Sequence, residues 1–190
     1  MERRNLGASS LEVSPICFGG NVFGWTVNEA ESFRLLDAFL DAGFNFVDTA
    51  DVYSRWADGN DGGESEIILG KWLKSRGRRG KIVLATKFGM DMGSDKVGLS
   101  PEYMATAVEA SLRRLQTDYI DIFQLHDPSM ALLQEDHQMI KTLESLKQEG
   151  KIRIIGVSTK SPEESLIAIE EFNFKGIQVN FNLIDLKYRY

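Results

Sequence analysis

The stretch of residues 120–158 decides the fold class. It begins with the apolar run Ile120–His126 (IDIFQLH), continues through a helix-like segment at Glu135–Glu149 that Gly150 ends, and returns to an apolar run at Ile152–Ser158 (IRIIGVS). Both runs are nearly continuous in apolar character, as expected for strands that are covered on both faces. A strand, a helix and a second strand in this order predict a βαβ unit with parallel strands.

The same alternation extends in both directions along the 190 residues. Four further strands are predicted at Val13–Phe18, Asn45–Thr49, Ile82–Lys87 and Ile177–Phe181. Helices are predicted between them, each with a capping residue or a terminal glycine: after Asn28, over Glu64–Arg76, after Ser100 and after Ser161. No linker or low-complexity tract divides the chain, so we predict a single α/β domain over residues 1–190.

Two parallel architectures fit this rhythm: an open doubly wound sheet and a TIM (β/α)8-type barrel. A doubly wound dinucleotide-binding sheet is expected to carry G-x-G-x-x-G after its first strand. Residues 18–24 read FGGNVFG, which lacks that spacing, and the chain has no G-x-x-x-x-G-K-[S/T] loop. These observations favour the barrel.

Composition excludes several classes of function. The formal net charge is −6, so we expect no nucleic-acid partner and no attraction to anionic membranes. No run approaches the roughly 18 apolar residues of a membrane span, and the N-terminus has no apolar stretch typical of a signal peptide. Cys17 is the only cysteine, which excludes an intrachain disulfide and a cysteine-based zinc site. We therefore expect a cytoplasmic protein without a metal.

Polar side chains end the predicted strands one after another. Asp48, Lys87 and His126 end the second, third and fourth strands, and Tyr53 follows Asp48 in a loop. Barrel active sites lie at the C-terminal ends of the strands, so these side chains are expected to share one mouth. Each has an ordinary explanation alone: a turn cap, a surface lysine, a loop histidine and an interface aromatic. Their joint occurrence favours a catalytic site.

Short motifs in a fixed order resemble those of the aldo-keto reductases. Asp48–Tyr53 (DTADVY) resembles the family's D-T-A-x-x-Y segment, and Gly63–Glu66 (GESE) resembles the G-x-S-E that follows it. Further matches are ATK at 85–87, SLRRL at 111–115, DYID at 118–121, GKIR at 150–153 and IGVS at 155–158. RNLG at 4–7 and LEVS at 11–14 resemble the N-terminal β-hairpin that plugs the barrel floor. The resemblance covers essentially the whole chain.

The resemblance implies an NAD(P)H-dependent oxidoreductase that reduces aldehydes and ketones to alcohols. Asp48, Tyr53, Lys87 and His126 are the implied catalytic residues, with Tyr53 as the general acid. The ordinary pKa of tyrosine, about 10, hinders proton donation near neutral pH. We expect Lys87 to lower the pKa of Tyr53 and Asp48 to offset part of that shift. His126 is expected to hydrogen-bond the carbonyl oxygen.

The implied cofactor-binding residues are Gly20, Asn21, Asp48, Ser158, Thr159 and Gln178. Ser158 and Gln178 match residues that bind the nicotinamide carboxamide in the family. The family usually has asparagine where this chain has Thr159, which puts one contact in doubt. NADPH is the expected cofactor, with NADH as the alternative, because the family binds the 2′-phosphate with residues beyond the sixth strand.

The substrate is expected to be a small carbonyl compound that binds beside Tyr53 and His126. Trp25 and Trp56, in the loops after the first and second strands, are predicted to form an aromatic wall. The alternative is that both tryptophans anchor their loops in the core. Residues 55–63 (RWADGNDGG) either form a flap over the site or are a surface insertion.

The pattern accounts for six β/α units, whereas a complete barrel has eight. We therefore expect an incomplete, C-terminally truncated barrel whose unpaired edges invite self-association or a partner chain. On this expectation the chain alone binds NADPH weakly and turns over slowly. The alternative function is a catalytically weak regulatory or docking module that resembles the potassium-channel β subunit. A metal-dependent hydrolase is disfavoured because the only histidines are His126 and His137.

Overall fold

A short hairpin precedes a sheet of six parallel strands. The computed structural model describes residues 2–93, 98–135 and 137–182. The hairpin consists of β1 (Arg4–Asn5) and β2 (Glu12–Val13), which pair antiparallel as predicted. The sheet contains β3 (Cys17–Gly19), β4 (Phe46–Asp48), β5 (Val83–Phe88), β6 (Ile120–His126), β7 (Ile152–Thr159) and β8 (Gly176–Val179).

The strands of the sheet lie side by side in chain order, from β3 to β8, and every neighbouring pair is parallel. A doubly wound sheet reverses its strand order at a switch point. The uninterrupted order therefore confirms the prediction of an incomplete TIM-type barrel. Within the described residues, β3 and β8 are the two edges of the sheet.

Helices connect the strands as the βα rhythm predicts. They are α1 (Glu29–Asp41), α2 (Glu64–Arg76), α3 (Pro101–Leu115), α4 (Met130–Glu135), α5 (His137–Gln148) and α6 (Pro162–Glu170). The Asn28 side chain caps α1 by accepting from the Glu31 amide, and Ser161 with Glu164 forms the predicted capping box of α6. In the part of the chain that the structure describes, no helix is long and apolar enough to cross a membrane.

Two predicted elements were wrong in their extent. The strand predicted at Val13–Phe18 is divided between β2 and β3, because Pro15 has no N–H to donate to a ladder. Helical residues begin at Met130, five residues before the predicted start at Glu135. Pro128 disfavours helix at the residue before it and so sets the place where the chain can enter α4. The other strand boundaries lie within two residues of the predictions.

The sheet separates a large outer core from a small inner one. Outside, the helices pack on it around side chains such as Trp72, Leu84 and Phe123. Inside, Val83, Ala85, Ile122 and Ile154 form an apolar floor that Val13, Leu6 and Leu11 of the hairpin region close. The inner residues farther along β5 and β6 alternate with outer ones and are polar, so the floor supports a polar mouth.

Asn45 ties the hairpin to the barrel. Its Oδ1 accepts from the Ser14 amide at 2.7 Å, and its Nδ2 donates to the Glu12 carbonyl at 2.9 Å. Asn45 is buried, so these bonds satisfy a carboxamide that would otherwise be costly to bury.

Candidate active site

Lys87 lies at the centre of the polar mouth and is only 2% exposed. Its Nζ donates to Asp48 Oδ2 at 2.6 Å, to the Thr49 carbonyl at 3.0 Å and to Tyr53 Oη at 2.8 Å. An ammonium has three N–H groups, so all of them are engaged. The lysine therefore joins a carboxylate and a phenol in one buried cluster.

The chain around Tyr53 folds back so that its ring reaches Lys87. After β4 the Asp51 amide donates to the Lys87 carbonyl at 3.0 Å, which keeps this segment on the neighbouring strand. Ser54 then adopts a positive φ of 73°, and its hydroxyl donates to the Phe23 carbonyl at 2.6 Å. A positive φ at a non-glycine residue is uncommon and costs free energy. The tight turn at Ser54 thus holds the phenol over the strand ends.

His126 faces Tyr53 across the mouth, with 6.2 Å between the two ring centroids and an angle of 79° between the rings. Burial, together with the charges of Lys87 and Lys160, lowers the pKa of His126 to about 4. The imidazole is therefore neutral at pH 7. Its Nδ1 is buried and has no hydrogen-bond partner among the described residues. A neutral ring retains one N–H that can donate to a ligand.

The pKa of Tyr53 was expected to be lowered, and this expectation was wrong. Lys87 does lower it, but burial raises the pKa of Tyr53 by more, and the charge of Asp48 raises it further. The phenolate loses hydration in this site, and the cation that stabilises it is partly neutralised by Asp48. The phenol therefore holds its proton throughout the neutral pH range. Burial also raises the pKa of Asp48, while Lys87 opposes that shift.

Three of the predicted cofactor residues, Ser158, Thr159 and Gln178, border a cavity of about 460 Å³. Tyr53, Lys87 and His126 border the same cavity, so six of the predicted residues share it. Register explains the arrangement, because His126, Ser158 and Gln178 are aligned across β6, β7 and β8. The structure thus brings these residues to one place.

Thr159, Gly20 and Asn21 differ from Ser158 and Gln178 in their contacts. The Thr159 hydroxyl lies 2.7 Å from the Ser165 hydroxyl of α6, on the outer side of the sheet. Gly20 donates its amide to the Asp48 carbonyl at 2.8 Å, and a Cβ there would lie 2.9 Å from Ser65 Oγ. Asn21 is exposed. Gly20 thus serves close packing, and the Thr159 hydroxyl is engaged with α6.

The cavity fits the carboxamide end of a nicotinamide. A carboxamide needs one acceptor and one donor, and the Ser158 hydroxyl and the Gln178 amide supply both. Both side chains are partly exposed at the cavity wall, so a ligand can reach them. Within the described ranges, no group of three or more His, Cys, Asp and Glu side chains is placed to hold a metal ion.

Trp25 and Trp56 lie beside the mouth, 51% and 49% exposed. Their rings meet edge to face with centroids 5.6 Å apart, and the Trp56 ring lies 6.1 Å from the Tyr53 ring. Half-exposed rings do not anchor loops in a core, and the aromatic wall stays a prediction. Asn60 fixes the loop of residues 55–63 by donating to the Gly24 and Ser54 carbonyls, each at 2.9 Å.

Sequence reasoning missed a buried charged group behind the mouth. Glu66 is fully buried and accepts from Thr86 Oγ1 and from Arg114 Nε, each at 2.6 Å. Asp51 is also buried, and its Oδ1 has no partner among the described residues. Burial and the nearby charge of Glu66 raise the pKa of Asp51 to about 7. Both residues belong to the DTADVY and GESE motifs, and this membership could have identified them from the sequence.

Sequence reasoning also missed Gln124, a buried polar residue inside β6. Its Nε2 donates to Asp48 Oδ1 at 3.2 Å and to Gln178 Oε1 at 3.4 Å. Gln124 lies two residues before His126, so the period of two in a strand places both on the inner face. That spacing could have identified it.

Comparison with known proteins identifies a family. The aldo/keto reductase family model matches residues 15–189. YqkF of Bacillus subtilis, an uncharacterized oxidoreductase, is 38% identical over 97% of this chain and 58% of its own length. The norsolorinic acid reductase stcV of Emericella nidulans is 38% identical over 79% of this chain and 40% of its own.

Solved structures agree. The holo form of an aldo-keto reductase from Bacillus halodurans matches 95% of this chain and 58% of its own with a TM-score of 0.81 and 38% identity. The chain thus spans about half the length of these relatives. Since the family model covers nearly all of its residues, the chain belongs to the aldo/keto reductase family.

Proposed function

We propose that the chain is an NADPH-dependent oxidoreductase that reduces an aldehyde or ketone to an alcohol, with Tyr53 as the general acid. The observation that carries this proposal is the placement of Lys87 Nζ, 2.6 Å from Asp48 Oδ2 and 2.8 Å from Tyr53 Oη, at the wall of a ligand-sized cavity. A phenol held against a buried ammonium is a proton donor whose conjugate base is stabilised in place.

The reaction needs a hydride at the carbonyl carbon and a proton at the carbonyl oxygen. A bound reduced nicotinamide supplies the hydride. As negative charge develops on the carbonyl oxygen, the Tyr53 hydroxyl gives it a proton, and the phenolate that remains is stabilised by Lys87 at 2.8 Å. The raised pKa of Tyr53 keeps the acid protonated before each turnover. Asp48 keeps the lysine in position.

His126 orients the carbonyl group. It is neutral at pH 7, so it offers an N–H donor without adding a positive charge next to Lys87. A fixed donor beside the developing oxyanion stabilises the transition state more than the ground state. The Ser158 hydroxyl and the Gln178 amide would hold the nicotinamide carboxamide and so orient the ring relative to the substrate.

An aryl aldehyde is the proposed substrate class. Trp25 and Trp56 present half-exposed faces and edges near the general acid. Aromatic pairs of this kind add about 0.5–1.5 kcal/mol to the burial of apolar area. An aromatic ring attached to a carbonyl group bound at Tyr53 would reach these side chains.

The test is NADPH oxidation by the purified chain with an aryl aldehyde. Tyr53→Phe is expected to reduce kcat by about 10²-fold or more, whereas Tyr119→Phe, at the opposite end of the barrel, is the matched control and should retain the wild-type rate. Equal rates in Tyr53→Phe and wild type would refute the role of Tyr53. A parallel assay with NADH compares the two cofactors.

We also propose that the chain associates with another chain through β3 and β8. Within the described residues, each of these strands has a neighbour on one side only, and an unpaired edge is a template for strand addition. Light scattering after size-exclusion chromatography should show a species larger than the 21.4 kDa monomer. A monodisperse monomer at all concentrations would refute self-association.

A further inference from the structure

The strand interior holds a polar residue to which the mechanism above assigns no role. Gln124 is 5% exposed and lies on the inner face of β6, below His126. Its Nε2 carries two hydrogens, and two acceptors lie within reach, Asp48 Oδ1 at 3.2 Å and Gln178 Oε1 at 3.4 Å. One amide therefore contacts both a residue of the proton-donating cluster and a residue of the cofactor subsite.

The contact with Asp48 completes the binding of that carboxylate. Lys87 occupies Oδ2 and Gln124 occupies Oδ1, so donors on β5 and β6 hold the two oxygens of a side chain on β4. A carboxylate held at both oxygens cannot rotate about its Cβ–Cγ bond without breaking a hydrogen bond. An amide suits this position, because a second cation would compete with Lys87 and a second anion would repel Asp48.

The contact with Gln178 links three strands. Gln178 accepts from Gln124 at 3.4 Å, and its side chain also helps to lower the pKa of Asp48. The three side chains come from β4, β6 and β8, so the contacts of Gln124 cross the inside of the half-barrel. Rotation of Gln124 breaks its hydrogen bonds to both of the others.

The neighbouring strand provides the space that Gln124 needs. Gly156 of β7 is the register partner of Gln124. A Cβ at Gly156 would lie 3.0 Å from Gln124 Cγ and 3.0 Å from the Gly176 carbonyl oxygen. Contacts this short require the neighbours to move, so the absence of a side chain at Gly156 leaves Gln124 its present conformation.

We propose that Gln124 is a positioning residue that fixes Asp48 on Lys87 and, through Gln178, aligns the nicotinamide subsite with the proton donor. The proposal has two halves. The first half, the positioning of Asp48, concerns the conformation of Asp48 and the acidity of Tyr53, which are measurable without cofactor or turnover. The cofactor half, the alignment of the nicotinamide subsite through Gln178, rests on the proposed function.

The first experiment measures Tyr53 ionisation by fluorine NMR on protein labelled with 3-fluorotyrosine, and Tyr53→Phe assigns the signal. In Gln124→Met, Asp48 Oδ1 loses its donor and draws the Tyr53 hydroxyl toward it. The titration midpoint of Tyr53 should therefore rise by about half a pH unit or more. The isosteric Gln124→Glu should raise it as well, since a second carboxylate disfavours the phenolate. Gln134→Met, an exposed glutamine of α4, is the matched control.

The second experiment measures the Kd for NADPH by quenching of tryptophan fluorescence. Gln124→Met should weaken binding about fivefold, the value of one lost hydrogen bond. In the Gln178→Met background the same change should have no further effect, because both residues act through one contact.

The outcomes separate the two halves. An unchanged Tyr53 midpoint in both folded Gln124 variants would overturn the positioning of Asp48, whatever the activity. Additive effects on the Kd would overturn the coupling to Gln178. If wild type does not bind NADPH, the proposed function and the cofactor half fail together, and the Tyr53 midpoint still decides the other half.

Discussion

Replacing Asp51 by asparagine is expected to stabilise the protein by an amount that grows with pH. Asp51 is 2% exposed, and its Oδ1 has no partner among the described residues. Burial and the adjacent Glu66 raise its pKa to about 7, while Arg114 opposes the shift. The charged form of this side chain is therefore unfavourable in the fold, and asparagine removes the ionisation while keeping the shape.

The sign and size of the expected stability difference follow from proton linkage. In the unfolded chain the pKa of an aspartate is about 3.9, so below about pH 4 both states are protonated and the ionisation has no effect. Between about pH 4 and about pH 7 only the folded state keeps the proton, and the free energy of unfolding falls as the pH rises. Above about pH 7 the loss is complete and amounts to about 4 kcal/mol, since each of about three pH units corresponds to 1.36 kcal/mol.

Urea denaturation of wild type and Asp51→Asn from about pH 4.5 to about pH 8.5 measures this difference. The stability advantage of the variant should increase through the interval and level off above about pH 7. Asp58→Asn makes the same substitution at an exposed position and is the matched control. A constant difference between Asp51→Asn and wild type across the interval would refute the reasoning, since only titration of Asp51 in the fold produces the slope.

Three further predictions concern other parts of the molecule. The His126 ring protons should titrate near pH 4 by NMR, and a midpoint above about pH 6 would contradict its burial beside Lys87. Gly70→Ala should lower the free energy of unfolding by about 3 kcal/mol or more, because a Cβ there would lie 2.1 Å from the Arg114 carbonyl oxygen. Gly80→Ala, where a Cβ meets nothing within 4 Å, should be neutral by the same denaturation assay. Trp56→Ala should raise KM for an aryl aldehyde about fivefold or more and leave KM for a short alkyl aldehyde unchanged; equal effects on both would exclude an aromatic wall.

The order of the strands was predictable because each βαβ crossover joins neighbouring parallel strands. The same rule brings the strand ends together, so Asp48, Lys87 and His126 could be assigned to one mouth before any contact was known. Strand breaks depend on single residues: Pro15 interrupts the run Val13–Phe18, and the apolar pattern outweighed it in the prediction.

The acidity of Tyr53 depends on a property that the sequence does not reveal, the depth at which the side chain is buried. The motif places a lysine and a carboxylate near the phenol, so the charges that act on it were known. The depth of the site was not, and burial outweighs Lys87 in raising the pKa of Tyr53. Asp51 is a similar case, because its pKa depends on its burial and on the charge of Glu66, and its Oδ1 has no partner among the described residues.

The inner face of the sheet explains why long polar side chains can meet inside this half-barrel. Lys87, Gln124, Gly156 and Gly176 are aligned in register across β5 to β8 and form one layer. Barrel interiors are normally filled by branched apolar side chains in such layers, as Val83, Ile122 and Ile154 fill the floor below. In the next layer, β7 and β8 carry Gly156 and Gly176, so these two strands contribute no side chain to the interior. The space they leave lets side chains from β5 and β6 reach Asp48 on β4, so the polar cluster depends on the missing side chains as much as on its hydrogen bonds.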